Sequence, residues 1–310
     1  MSALDTPTVA ADAPAEIVDA TVPVTVAEET YRRRRLGVGF WLAVAWLVAI
    51  VLAAALADLL PLKDPNQTFS GASRSGPSAA HWFGADNIGK DVFSRSIYGA
   101  RRSLTVAFLS TAIGVVIGAV LGLISGYYRR GVDLATSALF NVILSIPPLV
   151  LLLTLIAFLA PPGKASPTTQ TAWVIVGLAI LVIPSVARVT RAQTMVWSDR
   201  DFVLASRTLG AHNKRIILRE ILPNVIPAIV SFALIGLAAL MLAEAALAFF
   251  GVGDVTGVSW GLMIQNGRSQ LDQAPHMVIF PALFMSLTIF SLNFVGDGLR
   301  SRSEVKEGGI

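Results

Sequence analysis

Six apolar runs, each long enough to cross a bilayer, constrain this chain more than any other feature in it. They fall at about 38–60, 104–127, 134–160, 172–189, 225–252 and 277–295. Crossing ~30 Å of hydrocarbon takes roughly 17–25 residues of helix. Hydrocarbon offers no hydrogen-bond partners, so a spanning segment must satisfy its own backbone, and runs of this length are expected to be helices. Composition agrees: of 310 residues, 54% are hydrophobic and 14% charged, against about 25% charged in soluble domains. The expectation is an all-α integral membrane protein with six transmembrane helices in one membrane domain.

The basic residues orient the spans. With the N-terminus in the cytoplasm, 16 of the 24 lysines and arginines fall inside, including the arginines at 32–35, Arg129, Arg130, Arg188, Arg191, Lys214, Arg215 and Arg219. Short cytoplasmic loops favour Lys and Arg, so both termini are predicted cytoplasmic. Arg101 and Arg102, at the outer end of the second run, are the clearest exceptions. The net charge of +4 follows from this topology. Its residues sit at span ends rather than on one patch, so no nucleic-acid partner is expected, only membrane lipid.

Several chemistries are excluded or unsupported. The chain has no cysteine, which removes disulfides, thiolate metal sites and thiol catalysis. His81, His212 and His276 lie far apart in sequence, and no metal site is expected from them. No G-x-S-x-G, H-E-x-x-H or convergent carboxylate pair occurs, so no catalytic residue is assigned and the chain is not read as an enzyme. Residues 84–91 read G-x-x-x-x-G-K-D, close to a phosphate-binding loop. Asp91 replaces the Ser/Thr such a loop needs for magnesium, no strand precedes it, and the predicted side lacks ATP, so nucleotide binding is rejected.

Residues 1–35 read as a disordered cytoplasmic tail: the first thirty carry six acids and no Lys or Arg, without helical periodicity. The first apolar run, of about 20 residues, exceeds the 7–15 of a signal peptide, so an uncleaved anchor is favoured over cleavage near Ala55-Leu56-Ala57. Residues 36–102 are then the first span and a long extracellular loop. Residues 103–300 form a core of five helices, and 301–310 a cytoplasmic tail. Gly114, Gly118, Gly122 and Gly126 share one helix face, suited to close packing within the subunit or against a partner. Pro147 and Pro148 predict a kink in the third run. Glu244 is the one acid deep in an apolar run. It must face protein or water, either tied to Arg95, Arg101 or backbone amides, or near a substrate path.

The polar segment 198–223 lies between two spans. Ser198 is a candidate N-cap with Asp201 completing a capping box, and Gly210 suits the left-handed position that ends a helix. A second basic helix, about 214–222, is expected to stop at Pro223. An amphipathic connector lying on lipid is the alternative reading.

This segment, DFVLASRTLGAHNKRIILREILPN, resembles the "EAA" loop of ABC importer permeases, with Gly210 thirteen residues before Pro223. Its wording is similar to the dipeptide, oligopeptide and nickel permease branch (DppC/OppC-like). Leu204 stands where many members carry glutamate, Ser206 replaces the second alanine, and Glu220 occupies a position that is often isoleucine. The loop HWFGADNIGKDVFSRSIYGARRSL, the stretch from Glu244 to Trp260-Gly261, and the ending from Asn293 to Arg300 resemble the same branch, over roughly residues 80–300.

The resemblance implies a type I ABC importer permease with the MetI-like fold, in the cell membrane. It implies a homologous second permease, two ABC ATPase subunits and an extracellular solute-binding protein as partners. No cofactor would be bound by this chain, and ATP would be used by the ATPase subunits. ATPase coupling would fall to Asp201, Phe202, Ala205, Ser206, Arg207, Leu209, Gly210, Leu222 and Pro223. Di- or oligopeptides are the expected solutes, with nickel or another small solute as the alternative. A stand-alone secondary transporter is the rival class, but it usually shows internal repeats and several intramembrane polar groups.

Overall fold

The structure, a computed structural model, describes residues 37–161, 164–253 and 256–307, with side chains described to residue 301. The expected tail at 1–35 lies outside the described residues. Among the described residues ten α-helices follow one another: α1 (Val38–Ala55), α2 (Val92–Tyr128), α3 (Arg130–Ser145), α4 (Pro148–Leu159), α5 (Pro167–Ser198), α6 (Asp201–Thr208), α7 (Asn213–Arg215), α8 (Leu222–Phe249), α9 (Trp260–Gly267) and α10 (His276–Glu307). Among the described residues, five helices are long and apolar enough to cross a membrane, or six if the bent pair α3 and α4 is one span.

The centre is the pairing of α2 with α5. A Cβ added at Gly114 would stand 2.6 Å from Val182 Cβ, at Gly118 2.8 Å from the Ile183 carbonyl, at Gly122 2.6 Å from the Ala187 carbonyl and at Gly126 2.8 Å from the Arg191 carbonyl. The four-residue spacing therefore exists to let one backbone lie against another within this subunit. Polar side chains on α2 stay satisfied by their own helix: Ser110 and Thr111 donate to the carbonyls of Val106 and Ala107 at 2.7 and 2.8 Å. Leu152, Ile156, Leu178, Val182 and Met241 complete a dry core from α4, α5 and α8. Helix α1 packs on α10 through Phe40, Ala43 and Val295, and the Trp46 indole donates to Thr288 Oγ1 at 3.1 Å.

Several boundaries differ from expectation. Helix α2 begins at Val92, not near 104, because Asp91 caps it by accepting from the Ser94 amide at 2.9 Å. At about 1.5 Å per residue its 37 residues reach well beyond the hydrocarbon, so its polar first turns lack the apolar signal that marks a span. Arg101 thereby meets the end of α1, donating to the carbonyls of Ala54 and Ala55 at 2.9 and 3.3 Å and pairing with Asp58 at 3.0 Å. A cation at a helix C-terminus is favoured there. The kink expected at Pro147-Pro148 is an 88° break between α3 and α4: neither proline has an N–H to carry the helical ladder across. Helix α10 continues to Glu307, through much of the segment read as a tail.

The loop before α2 is built, not loose. Gly84 and Gly89 have φ of +78° and +86°, and a Cβ at Gly84 would lie 2.5 Å from the Ser75 carbonyl. Asp86 accepts from the amides of Ile88 and Lys90 at 3.0 and 2.8 Å. Phe83 stacks on Phe280 of α10 at 3.9 Å, and His276 Nε2 meets the Ala85 carbonyl at 3.0 Å. The glycines of the false phosphate loop thus serve a tight turn whose last residue caps a helix.

Candidate functional site

The polar segment between α5 and α8 is folded on both sides of Gly210. Helix α6 ends at Thr208, and Gly210 follows with φ +80°. Its amide donates to the Arg207 carbonyl at 2.9 Å, and the Ala211 amide reaches the Ser206 carbonyl at 3.0 Å. These two bonds make a Schellman ending, which needs the left-handed conformation that glycine adopts without penalty. A Cβ at Gly210 would meet nothing within 4 Å. Backbone conformation alone therefore demands glycine here.

Two expectations for this segment fail. Ser198 is not the cap of α6 and forms no capping box with Asp201. Helix α5 runs through Ser198, whose hydroxyl donates to the Met195 carbonyl at 3.0 Å and accepts from Arg129 at 3.2 Å. Nor does a basic helix stop at Pro223. Helix α7, a π-helical stretch at Ile216–Ile221 and α8 run on as one helix, Asn213–Phe249. The Leu222 amide reaches back five residues to the Ile217 carbonyl. Such a π turn lets Pro223 sit inside a continuous helix despite its missing donor.

The segment is anchored from below and open above. Val203, Ile216, Ile221 and Val225 are fully buried against Leu123, Tyr127 and Trp197 of α2 and α5. The Tyr127 hydroxyl donates to Asn213 Oδ1 at 2.8 Å, and the Arg207 guanidinium lies over the Tyr127 ring at 5.1 Å. Arg129 fixes the end of α5 by pairing with Asp199 at 2.7 Å. Of the coupling residues expected from resemblance, Asp201, Phe202, Ala205, Arg207, Leu209, Gly210 and Pro223 are exposed, and Ser206 and Leu222 half-buried. Leu209 is 87% exposed and Leu204 63%. The structure thus brings most of these residues to one small helix and its ending. Pro223 and Leu222 lie apart from them, past the π turn. Periodicity does not report the anchor Val203, since its eight-residue helix offers too few turns to show a face.

Glu244 lies at the opposite end of the bundle. It is 6% exposed and accepts from the hydroxyls of Ser103 (3.2 Å) and Ser259. Ser103 Oγ in turn accepts from the Trp260 amide at 3.3 Å, and the Trp260 indole donates to the Ser96 carbonyl at 2.8 Å. Arg102, Thr171 and Glu244 line a cavity of about 20 Å³, room for a single water. The expected partners Arg95 and Arg101 are engaged elsewhere: Arg95 with Asp86 and the Pro65 carbonyl, Arg101 with the end of α1. Glu244 instead joins α2, α8 and the start of α9.

Small-residue seams between long apolar helices, a broken span and an ordered polar segment define a polytopic membrane protein. Residues 118–305 match the family described as binding-protein-dependent transport system inner membrane component. The chain belongs to that family. It is 35% identical over 269 residues to the dipeptide transport system permease protein DppC of Alkalihalophilus pseudofirmus, covering 86% of each chain. It is 34% identical over 277 residues to the glutathione transport system permease protein GsiD of Pectobacterium atrosepticum, covering 89% of each. Among solved structures it resembles the MetNI methionine ABC transporter in inward-facing conformations, with a TM-score of 0.55, 24% identity, and coverage of 67% of this chain and 95% of that one. That likeness places the chain in the MetI-type fold.

Proposed function

We propose that this chain is one of two permease halves in an ATP-driven importer of di- or oligopeptides. The observation that carries the substrate is the near full-length similarity to a dipeptide permease and a glutathione permease, glutathione being itself a short peptide. In this reading both termini and the segment 198–223 are cytoplasmic, and the built loop before α2 faces the solute-binding protein outside. The chain binds no cofactor. ATP is consumed by two partner ATPases that seat on α6, on exposed Leu209 and on the Gly210 ending, and their closure moves α5 and α8 through the buried Val203 and Ile216. The test is uptake of a radiolabelled dipeptide into proteoliposomes holding this chain, its second permease, the ATPases and the binding protein. ATP-dependent accumulation supports the reading. Accumulation driven by an ion gradient without ATPases would establish a secondary transporter instead.

A further inference from the structure

Helix α3 leaves α2 through a turn that strains two arginines. Arg129 has φ +54° and ψ −158°, at the edge of a region populated essentially by glycine, and Arg130 follows with φ +49°. A side chain in such a conformation presses on the next carbonyl, so two in succession are rare. Among the described residues one other non-glycine, Arg74, has a positive φ, and it stands alone. The glycine of this turn, Gly131, lies one residue too late to relieve either arginine.

What holds the turn is arginine rather than apolar packing. Of the 16 residues of α3, only Phe140 is buried. Arg129 donates to both carboxylate oxygens of Asp199, at 2.7 and 2.8 Å. It also reaches Ser198 Oγ at 3.2 Å and the Met195 carbonyl at 3.4 Å. Farther along α3, Asp133 Oδ2 accepts from Arg191 Nη2 of α5 at 2.6 Å, and Asn141 accepts from Arg188 at 2.7 Å. All three clamps tie α3 or its entry to α5 or its end. The Arg129 and Asp199 side chains are 41% and 67% exposed, and an ion pair so open to water is weak. Strain and clamps are therefore close to balance. Asp199 stands two residues before α6 begins at Asp201, so the balance depends on where α6 sits.

We propose that Arg129 is a positioning residue that links α6 to α3. Its hold on Asp199 keeps the strained turn loaded, and displacing the start of α6 releases α3 from α5. That an ATPase displaces α6 rests on the function proposed above; the loaded turn does not.

The chain has no cysteine, so the distance between α3 and α5 can be read directly in the assembled complex in membranes. Nitroxide labels at Val142→Cys and Val196→Cys, on exposed positions of the two helices, report it by pulsed electron resonance. A released state of longer distance should hold at most about 10% of the parent population. Asp199→Ala breaks the clamp and keeps the strain, and should raise the ratio of released to held molecules on the order of tenfold. Arg129→Gly deletes the same ion pair and two further bonds, yet it removes the strain at that residue; its distances should stay near those of the parent. Adding Arg130→Gly to Asp199→Ala should lower the released population again. Both Asp199→Ala and Arg129→Gly lack the link, so both should lose most dipeptide uptake. Release of α3 by Arg129→Gly as complete as by Asp199→Ala would reduce the pair to an ordinary surface bridge and overturn the proposal. Unchanged distances in Asp199→Ala would overturn it too, as would full uptake by both variants. If the parent took up no dipeptide, the function would fail while the distances still decided whether the turn is loaded.

Discussion

Glu244 shows how one residue joins three helices at the end of the bundle opposite the segment 198–223. Its carboxylate receives the Ser103 and Ser259 hydroxyls, and Ser103 is itself held by the Trp260 amide. Glu244→Gln keeps an acceptor oxygen for these donors and should assemble and transport almost normally. Glu244→Leu leaves both hydroxyls short of a partner, costing about 1–3 kcal/mol each, and should lower the melting temperature of the purified complex. A Gln variant that assembles fully but transports nothing would place Glu244 in the solute path instead. Lys90 makes the opposite case. What holds the turn there is backbone, the Lys90 amide on Asp86, so Lys90→Ala should leave ATP hydrolysis by the complete complex unchanged. Loss of nucleotide binding on that change would revive the phosphate loop. That Glu244 had to turn away from lipid, toward protein or water, was legible in the sequence; its partners were not, since Ser103 and Ser259 are far from it along the chain.

At the scale of elements, the seam between α2 and α5 is the strongest constraint. An added side chain at Gly122 drives into the Ala187 carbonyl and Thr190 Cβ, both 2.6 Å from its Cβ position. Gly122→Leu should therefore cost at least about 1–3 kcal/mol, seen as lost accumulation or a lower melting temperature. Gly236 on α8 meets nothing within 4 Å. Gly236→Ala should be neutral or stabilising by about 0.5–1 kcal/mol through helix propensity; an equal loss at both positions would contradict the seam. The four-residue glycine period made this face readable in advance. The start of α2 was hidden because its capping residue, Asp91, lies in a polar stretch outside the hydrocarbon, where apolar length carries no signal. The passage of Pro223 through a continuous helix was hidden for another reason: a π turn depends on packing of Ile216 and Ile221, which no local pattern reports.

For the whole molecule, membrane class and family were legible because apolar runs of this length have one structural solution and because several family-like stretches occur in order. The sharpness of the α3–α4 break was not, since two prolines announce a bend without its angle. The functional reading joins two ends: an outer loop built on α10 and an inner segment built on α2 and α5. It requires that the Gly210 ending hold α6 in place for an ATPase. Gly210→Val forces a β-branched residue into the left-handed region, where even unbranched side chains lose about 1–2 kcal/mol, while open space around it leaves the spans untouched. In proteoliposomes of the complete importer, the Val variant should insert and accumulate normally. It should lose most peptide uptake and the stimulation of ATP hydrolysis by loaded binding protein, with Gly210→Ala milder. Uptake by Gly210→Val equal to that of the parent would mean that 198–223 is a passive connector and that coupling runs elsewhere.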